Sequence, residues 1–279
     1  MRSYGQRRSL KSSLNMDKLS KALKRSSDEQ SGLVSADAAS KPPAVDARYT
    51  RPSIGTVGKV EFRETIVALD FENPVSNIFR LLRSQVMSSL VGDLPACLGI
   101  ASAMPKDGKT FVAVNLAASM ALFQERTVVL IDLDLRKPSV STYFSGLDGS
   151  GLTNCLRGEG DIEQYIYQTP IDQLFLVPAG RPIRNSSEAL GSSKLTDILQ
   201  RLRQIDSNPI IVCDLPPVLL NDDVLAIQPS IDGFLVVIAD EISKPDEVTR
   251  VIELIDKEKL IGTVLNKSQT APTANNYYY

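Results

Sequence analysis

The sequence predicts an α/β protein: a mostly parallel β-sheet flanked by helices on both faces, with a flexible N-terminal leader and a tyrosine-containing C-terminal tail. Three observations carry this. From residue 96 onward, short apolar and β-branched runs alternate with helical segments, the pattern of βαβ units. The polar residues collect just after those runs, where ligands sit in parallel sheets. Hydrophobic residues make up 43% of the 279 residues, enough to close a sizeable core.

The elements follow in order. Residues 1–60 are rich in Ser, Lys, Arg and Pro, with Lys41-Pro42-Pro43 and Arg51-Pro52-Ser53 as breakers, and read as a flexible leader and linker. Within them Met16, Leu19, Ala22 and Leu23 are spaced for one face of a short helix after Asn15. Residues 73–91 read as a helix whose apolar positions are Ile78, Leu81, Leu82 and Val86. Strands are expected at 98–103, 127–131, 174–177, 210–213, 233–239 and 261–265, and helices at 110–123, 190–205 and 246–257. Residues 61–267 thus form the globular domain, and the polar stretch 268–279 is a tail ending in three tyrosines.

Charge is unevenly placed. Residues 1–25 carry eight basic residues against Asp17, while the whole chain is at −2. A basic tail on an acidic body suits contact with an anionic surface or acidic partner, or it is simply a solvated leader. The chain has no histidine, so acid–base chemistry falls to Asp, Glu, Lys or Tyr. Cys97, Cys155 and Cys213 are far apart, an odd number without a Cys-x-x-Cys. That argues against a disulfide framework and for a reducing compartment. No apolar stretch approaches the ~20 residues of a membrane span, and no secretory signal follows the basic start. A cytoplasmic protein is expected.

Three constellations carry chemistry. The first is Ala103-Met104-Pro105-Lys106-Asp107-Gly108-Lys109-Thr110, between a strand and a helix. It matches the phosphate loop G-x-x-x-x-G-K-[ST], with Ala103 for the first Gly. Backbone N–H groups and the helix N-terminus would cradle phosphate, Lys109 would reach the β and γ oxygens, and Thr110 would bind Mg²⁺. The second is Val128-Val129-Leu130-Ile131-Asp132-Leu133-Asp134-Leu135-Arg136-Lys137-Pro138. Here an apolar strand delivers two carboxylates at alternate positions, on one side if strand geometry persists. Two such acids beside a phosphate loop need a cation, and Mg²⁺ suits them. The third is Ile210-Ile211-Val212-Cys213-Asp214-Leu215-Pro216-Pro217, whose Asp214 ends a buried strand as the second Mg²⁺ anchor of phosphate-loop proteins does. Together they define a P-loop nucleotide-binding fold for ATP with Mg²⁺.

These stretches resemble the bacterial tyrosine kinases of capsular and exopolysaccharide synthesis, relatives of the Min and Par ATPases. The resemblance covers roughly residues 73–279. It includes Phe79-Arg80-Leu81-Leu82-Arg83, Asp132-Leu133-Asp134-Leu135-Arg136-Lys137-Pro138, Gly151-Leu152-Thr153 and Val177-Pro178-Ala179-Gly180. It also includes Asp214-Leu215-Pro216-Pro217, Gly262-Thr263-Val264-Leu265-Asn266 and the tyrosine tail. Partitioning relatives carry a signature Lys near the start of the loop, where this chain has Met104. The resemblance implies that 61–267 is a tyrosine kinase domain, that Asp134 and Asp214 support Mg²⁺, and that Asp132 accepts or orients the tyrosine proton. It further implies that Arg136 stabilises the transferred phosphoryl group and that Asn266 contacts adenine or merely ends a strand. Tyr277, Tyr278 and Tyr279 are the implied phosphoacceptors. Implied partners are a separate membrane-bound polysaccharide co-polymerase that recruits the protein to the inner face of the membrane, other copies of the chain, and a tyrosine phosphatase. No nucleic-acid partner is expected. The competing readings are a non-kinase partitioning-type ATPase and a nucleotide-dependent interaction module.

Two residues depart from the family pattern. Lys106 stands where the family usually has Gly, and would be strained if φ there is positive. Asn77-x-x-Arg80-x-x-Arg83 replaces Glu-x-x-Arg-x-x-Arg, the family's ring-packing motif.

Overall fold

The computed structural model of the chain describes residues 58–90, 96–123 and 126–268, all within the unit Tyr49–Tyr279. The expected short helix at 16–23 and the tail tyrosines Tyr277, Tyr278 and Tyr279 lie outside the described residues.

The described chain begins with two short strands, β1 (Gly58–Lys59) and β2 (Glu61–Phe62), followed by α1 (Pro74–Ser89). Then come β3 (Ala96–Ser102), α2 (Lys109–Phe123), β4 (Val128–Asp132), β5 (Phe144–Ser145) and α3 (Leu152–Arg157). β6 (Tyr167–Gln168) and β7 (Leu174–Val177) lead to α4 (Ser186–Leu190) and α5 (Ser193–Arg203). β8 (Ile210–Asp214), α6 (Asp223–Ile227), β9 (Gly233–Ala239), α7 (Pro245–Leu254) and β10 (Leu260–Asn266) complete the described residues.

Eight strands form one sheet in the order β1-β6-β7-β4-β8-β3-β9-β10. Every pairing in it is parallel except β6 with β7. β3, β4 and β8, the apolar runs with the chemistry at their ends, lie side by side at the centre. Alternation along each strand sends its side chains to two separate cores. Leu98 and Ile100 of β3 and Val128 and Leu130 of β4 pack with Val112 and Leu116 of α2 and Phe79 and Val86 of α1. Cys97, Val129, Ile131, Ile211 and Cys213 face the other way, onto Leu195, Leu199 and Leu202 of α5 and Val251 of α7. Burial on both faces explains why these strands read as unbroken apolar runs. All three cysteines are free and buried. Among the described residues no helix is long and apolar enough to cross a membrane.

The structure changes three sequence expectations. The helix expected over 190–205 is two helices, α4 and α5. Gly191 ends the first, and Ser192 turns extended (φ −76°, ψ 148°) so that its hydroxyl caps the second by accepting from the Leu195 N–H. α7 stops at Leu254, because Ile255 is extended. On α1, Ile78 and Leu81 are exposed, and the buried positions are Ser76, Phe79 and Val86. The chain offers two apolar stripes there, and α2 covers the one bearing Phe79, whose ring meets Phe111 edge-on at 5.8 Å. Arg83 reinforces that choice by donating to the Ser119 carbonyl at the end of α2's buried face. Arg80 is half-buried over the Phe71 ring and donates to Asn77.

A second, two-stranded sheet joins β2 to β5 with Phe62 against Phe144. The Arg63 N–H donates to the Tyr143 carbonyl beside it, so the segment before α1 braces the chain that follows Pro138.

Candidate active site

The site is built where β3, β4 and β8 end together. Parallel register places Asp132 of β4 opposite Asp214 of β8, and Ile100 of β3 opposite Asp214 on its other side. The loop leaving β3 therefore passes directly over two carboxylates.

That loop closes on itself before entering α2. The Ser102 hydroxyl donates to the Met104 carbonyl, and the Asp107 carboxylate accepts from the Met104 N–H, both at 2.9 Å. Burial of Asp107 pushes its pKa up, against that N–H. Lys106 has φ +72° and Gly108 φ +98°. The first is a non-glycine in the left-handed region, at a cost of ~1–2 kcal/mol. The second must be glycine: a Cβ there would lie 1.9 Å from the Asn266 amide nitrogen. That nitrogen donates to the Asp107 carbonyl at 2.9 Å, so Asn266 braces the loop from the end of β10. Beside it, Lys267 Nζ donates to the Lys106 carbonyl at 2.6 Å. Ala103 is buried at the loop's start and Pro105 is exposed at its turn.

Lys109 and Thr110 open α2 and point back at the carboxylates. Lys109 is only 7% exposed, with Nζ 3.1 Å from Asp134 Oδ2 and 3.5 Å from Asp214 Oδ1. Burial pulls its pKa down, but the charges of Asp214, Asp134 and Asp132 outweigh it and hold the ammonium charged. The Thr110 hydroxyl donates to Asp214 Oδ2 at 2.7 Å and lies 2.7 Å from Ser139 Oγ. Burial likewise pushes Asp214 up, opposed by Lys109 and Thr110. Asp214 Oδ1 is buried without a hydrogen bond and faces the Lys109 ammonium at 3.5 Å.

Strand-like alternation persists beyond β4: Leu133 and Leu135 are buried in the core beneath, while Asp132 and Asp134 turn to the site. The two acids then do different work. Asp132 is fully buried. Its Oδ1 accepts from the Asp134 N–H, and its Oδ2 from the N–H groups of Ser139 and Val140. Burial, with Asp214 opposite, pushes it up to about 8. Asp134 accepts from the Lys137 N–H and pairs with Lys109. Arg136, in the same run, turns to Asp223 instead of to Lys109, with Nε 3.2 Å from Oδ2.

Of the residues picked out in the sequence, the structure brings Lys109, Thr110, Asp134 and Asp214 into direct contact and joins Asp132 to them through Ser139. Ser139, Ser186 and Asp223 carried no motif signal. Only the fold shows that they touch Thr110, Asp223 and Arg136.

The residues present fit Mg²⁺ bound with a nucleotide. Oxygen donors from Thr110, Asp134 and Asp214 converge, Asp214 Oδ1 lacks a hydrogen-bond partner, and the Lys109 ammonium already supplies positive charge among them. Among the described residues no cluster of three or more His, Cys, Asp or Glu forms an all-protein metal cage.

A parallel sheet with a phosphate loop at its centre, carboxylates at two neighbouring strand ends and helices on both faces defines a P-loop nucleotide-binding protein. No model of a protein family matches the chain. Among curated proteins, it is 30% identical over 210 residues to CapB of Staphylococcus aureus, named as a candidate tyrosine-protein kinase; the match spans 75% of this chain and 91% of CapB. It is also 30% identical over 196 residues to the succinoglycan biosynthesis transport protein ExoP of Rhizobium meliloti, spanning 68% of this chain and 24% of ExoP. Among solved structures, the kinase domain of the Escherichia coli tyrosine kinase ETK superposes with a TM-score of 0.68 at 25% identity, covering 77% of this chain and 85% of that one. The chain belongs to the family of bacterial tyrosine kinases.

Proposed function

We propose that the chain is an ATP-dependent protein tyrosine autokinase that regulates exopolysaccharide or capsule synthesis and export. The observation that carries this is the contact set Lys109–Asp134, Lys109–Asp214 and Thr110–Asp214, in a chain whose relatives are named as tyrosine kinases. Phosphoryl transfer asks little covalent chemistry of a protein. It asks for positioned phosphates and neutralised charge, and this site is built of such parts.

In this reading the loop 103–108 and the N-terminus of α2 receive the phosphates through backbone N–H groups. Lys109 exchanges its carboxylate partners for the β and γ oxygens. Thr110, Asp134 and Asp214 hold Mg²⁺, which when bound neutralises charge on the β- and γ-phosphates. Arg136 stabilises charge on the transferred group. A tyrosine phenol has a pKa of ≈ 10 and needs a base or a cation's field to react at neutral pH. Asp132 accepts or orients the phenol proton; burial and Asp214 hold its carboxyl at about 8, largely protonated at neutral pH, and cationic charge brought to the site would lower it into working range. Since both its oxygens hold backbone N–H groups, its approach to a phenol requires the 139–140 turn to yield. Asn266, the last residue of β10, acts first as a brace for the loop, and adenine contact is its second role in this reading.

The acceptors are Tyr277, Tyr278 and Tyr279. A membrane-bound co-polymerase would recruit and activate the kinase at the inner face of the membrane. This is supported by ExoP, a transport protein of which this chain matches only a quarter. A phosphatase would reset the tail.

The test is label transfer from ATP radiolabelled at the γ-phosphate, with purified protein alone and with a co-polymerase's cytoplasmic segment added. Tyrosine labelling that vanishes in Lys109→Met is the expected result. ATP hydrolysis with no label on protein under either condition would refute the kinase assignment.

A further inference from the structure

The buried carboxylate that holds Arg136 belongs to no phosphate-loop motif, and nothing in the proposed chemistry uses it. Asp223 is 0% exposed, whereas the Arg136 side chain is 42% exposed. Two guanidinium nitrogens face it, Nε at 3.2 Å from Oδ2 and Nη2 at 3.5 Å from Oδ1. The Ser186 hydroxyl, fully buried at the start of α4, lies 2.9 Å from one carboxylate oxygen and 2.8 Å from the other. A single hydroxyl proton shared across both oxygens fixes the plane of the carboxylate, and the carboxylate fixes the plane of the guanidinium.

Asp223 is itself tied to the phosphate loop. The chain from Asp214 to Asp223 donates from the Leu215 N–H to the Ile100 carbonyl, from Val218 to Ser102, and from Leu219 to Ala103. The last two acceptors are the end of β3 and the first residue of the loop. On the other side, Arg136 follows Asp134, which touches Lys109, and Leu135, whose carbonyl accepts from the Ile183 N–H. The guanidinium thus lies between two runs, one hydrogen-bonded to the start of the phosphate loop and the other ion-paired through Asp134 to Lys109 at the start of α2. Of its five N–H donors, Asp223 engages two, and the side chain is 42% exposed.

We propose that Asp223, fixed by Ser186, is a positioning residue that sets the orientation of Arg136 toward the phosphoryl group being transferred. This deepens the kinase reading and rests on it. The pair does more than lock α4 and α6 to the run that follows β4: it converts a long, half-exposed side chain into a preorganised cation, and preorganisation acts on rate more than on nucleotide affinity.

The experiment is a double-mutant cycle on the full chain. Asp223→Asn keeps the shape and the Ser186 contact but removes the charge, and Ser186→Ala removes only the clamp. Each is measured alone and combined with Arg136→Ala, following kcat and KM for ATP, the affinity of a fluorescent ATP analogue, and thermal melting. Asp223→Asn should lower kcat ~10–100-fold while analogue affinity stays within ~3-fold. Ser186→Ala should lower kcat by roughly 3-fold. The Arg136→Ala/Asp223→Asn double variant should match Arg136→Ala alone within ~2-fold. A double variant that loses the product of the two single effects overturns the proposal. So does an Asp223→Asn protein that melts earlier yet keeps wild-type kcat, which would leave the pair a structural lock. If the wild-type chain labels no tyrosine, the kinase reading fails on its own, and the same cycle read on ATP hydrolysis still decides whether Asp223 acts through Arg136.

Discussion

Lys109 sits among three carboxylates, and in the kinase proposal it has a second task toward phosphate beside the one it has in the fold. Lys109→Met should abolish phosphotransfer, as loss of the ammonium that would meet the γ-phosphate requires. It should also strip Asp134 and Asp214 of their cation. Removing one partner of a buried pair costs ~3–5 kcal/mol unless the remaining acids take up protons. The nucleotide-free variant should therefore melt cooperatively but well below wild type, and more so at pH 8 than at pH 6. Equal melting temperatures at both pH values would show that the ion pairs contribute little. Asp132 gives a second pH signature. Burial and Asp214 raise its folded pKa to about 8, far above the ~3.9 of an unfolded Asp. Below ~3.9 both states hold the proton and its contribution to stability is fully present; as pH rises toward 8 the folded state resists losing the proton and that contribution is lost. One proton of difference gives at most about 1.4 kcal/mol per pH unit. With a chelator present and no nucleotide, stability should fall from pH 5 to 8, and Asp132→Asn should flatten that slope. Urea titrations across the range measure it.

At the scale of elements, the break at Gly191 and Ser192 decides where α5 starts and hence how Leu195, Leu199 and Leu202 reach the core behind β8. The Ser192 hydroxyl accepts from the Leu195 N–H at 3.2 Å and lies 2.7 Å from the Ala189 carbonyl, joining the two helices. Ser192→Ala should cost about 1 kcal/mol, the usual value of a lost cap, read as a lower urea midpoint with an unchanged slope. Periodicity over 190–205 was legible in the sequence, but the break was not, because a serine inside an apolar pattern reads equally well as a solvent-facing position. The same ambiguity governs α1. Ile78 and Leu81 lie one residue from the face that α2 selects, and only Arg83 on Ser119 and Phe79 on Phe111 show which stripe is buried.

For the whole molecule, the tail and the leader set the predictions. We expect the tail tyrosines to be phosphorylated between subunits. Mixing Lys109→Met protein, its tail intact, with active protein in which Tyr277, Tyr278 and Tyr279 are all Phe should label the Lys109→Met chain. Labelling of wild type alone, at a rate independent of concentration, would instead place transfer within one subunit. Each phosphate adds about −1.5 to −2 charges at neutral pH, so a labelled tail is repelled by an acidic body. The leader, with eight basic residues among its first 25, should bind anionic vesicles in a manner that weakens with salt. Binding that survives deletion of residues 1–25 would contradict it.

The sequence by itself determined the central sheet and the identity of its chemistry. Apolar and β-branched runs at 127–131, 174–177, 210–213 and 233–239 read as strands buried on both faces, and a Gly-Lys-Thr between strand and helix points to a phosphate ligand. Both signals are local, written in neighbouring residues. The tertiary structure decided what depends on register and on side chains distant in the chain. It set Asp132 across from Asp214, turned Lys109 onto Asp134, pressed Asn266 against Gly108, and gave Arg136 to Asp223. The short strands β1, β2, β5 and β6 also belong to this second class, since two residues carry no alternation and gain their hydrogen bonds only from a partner already in place. A contact between residues far apart in sequence leaves no periodic trace, because its energy exists only once the sheet has brought both ends together.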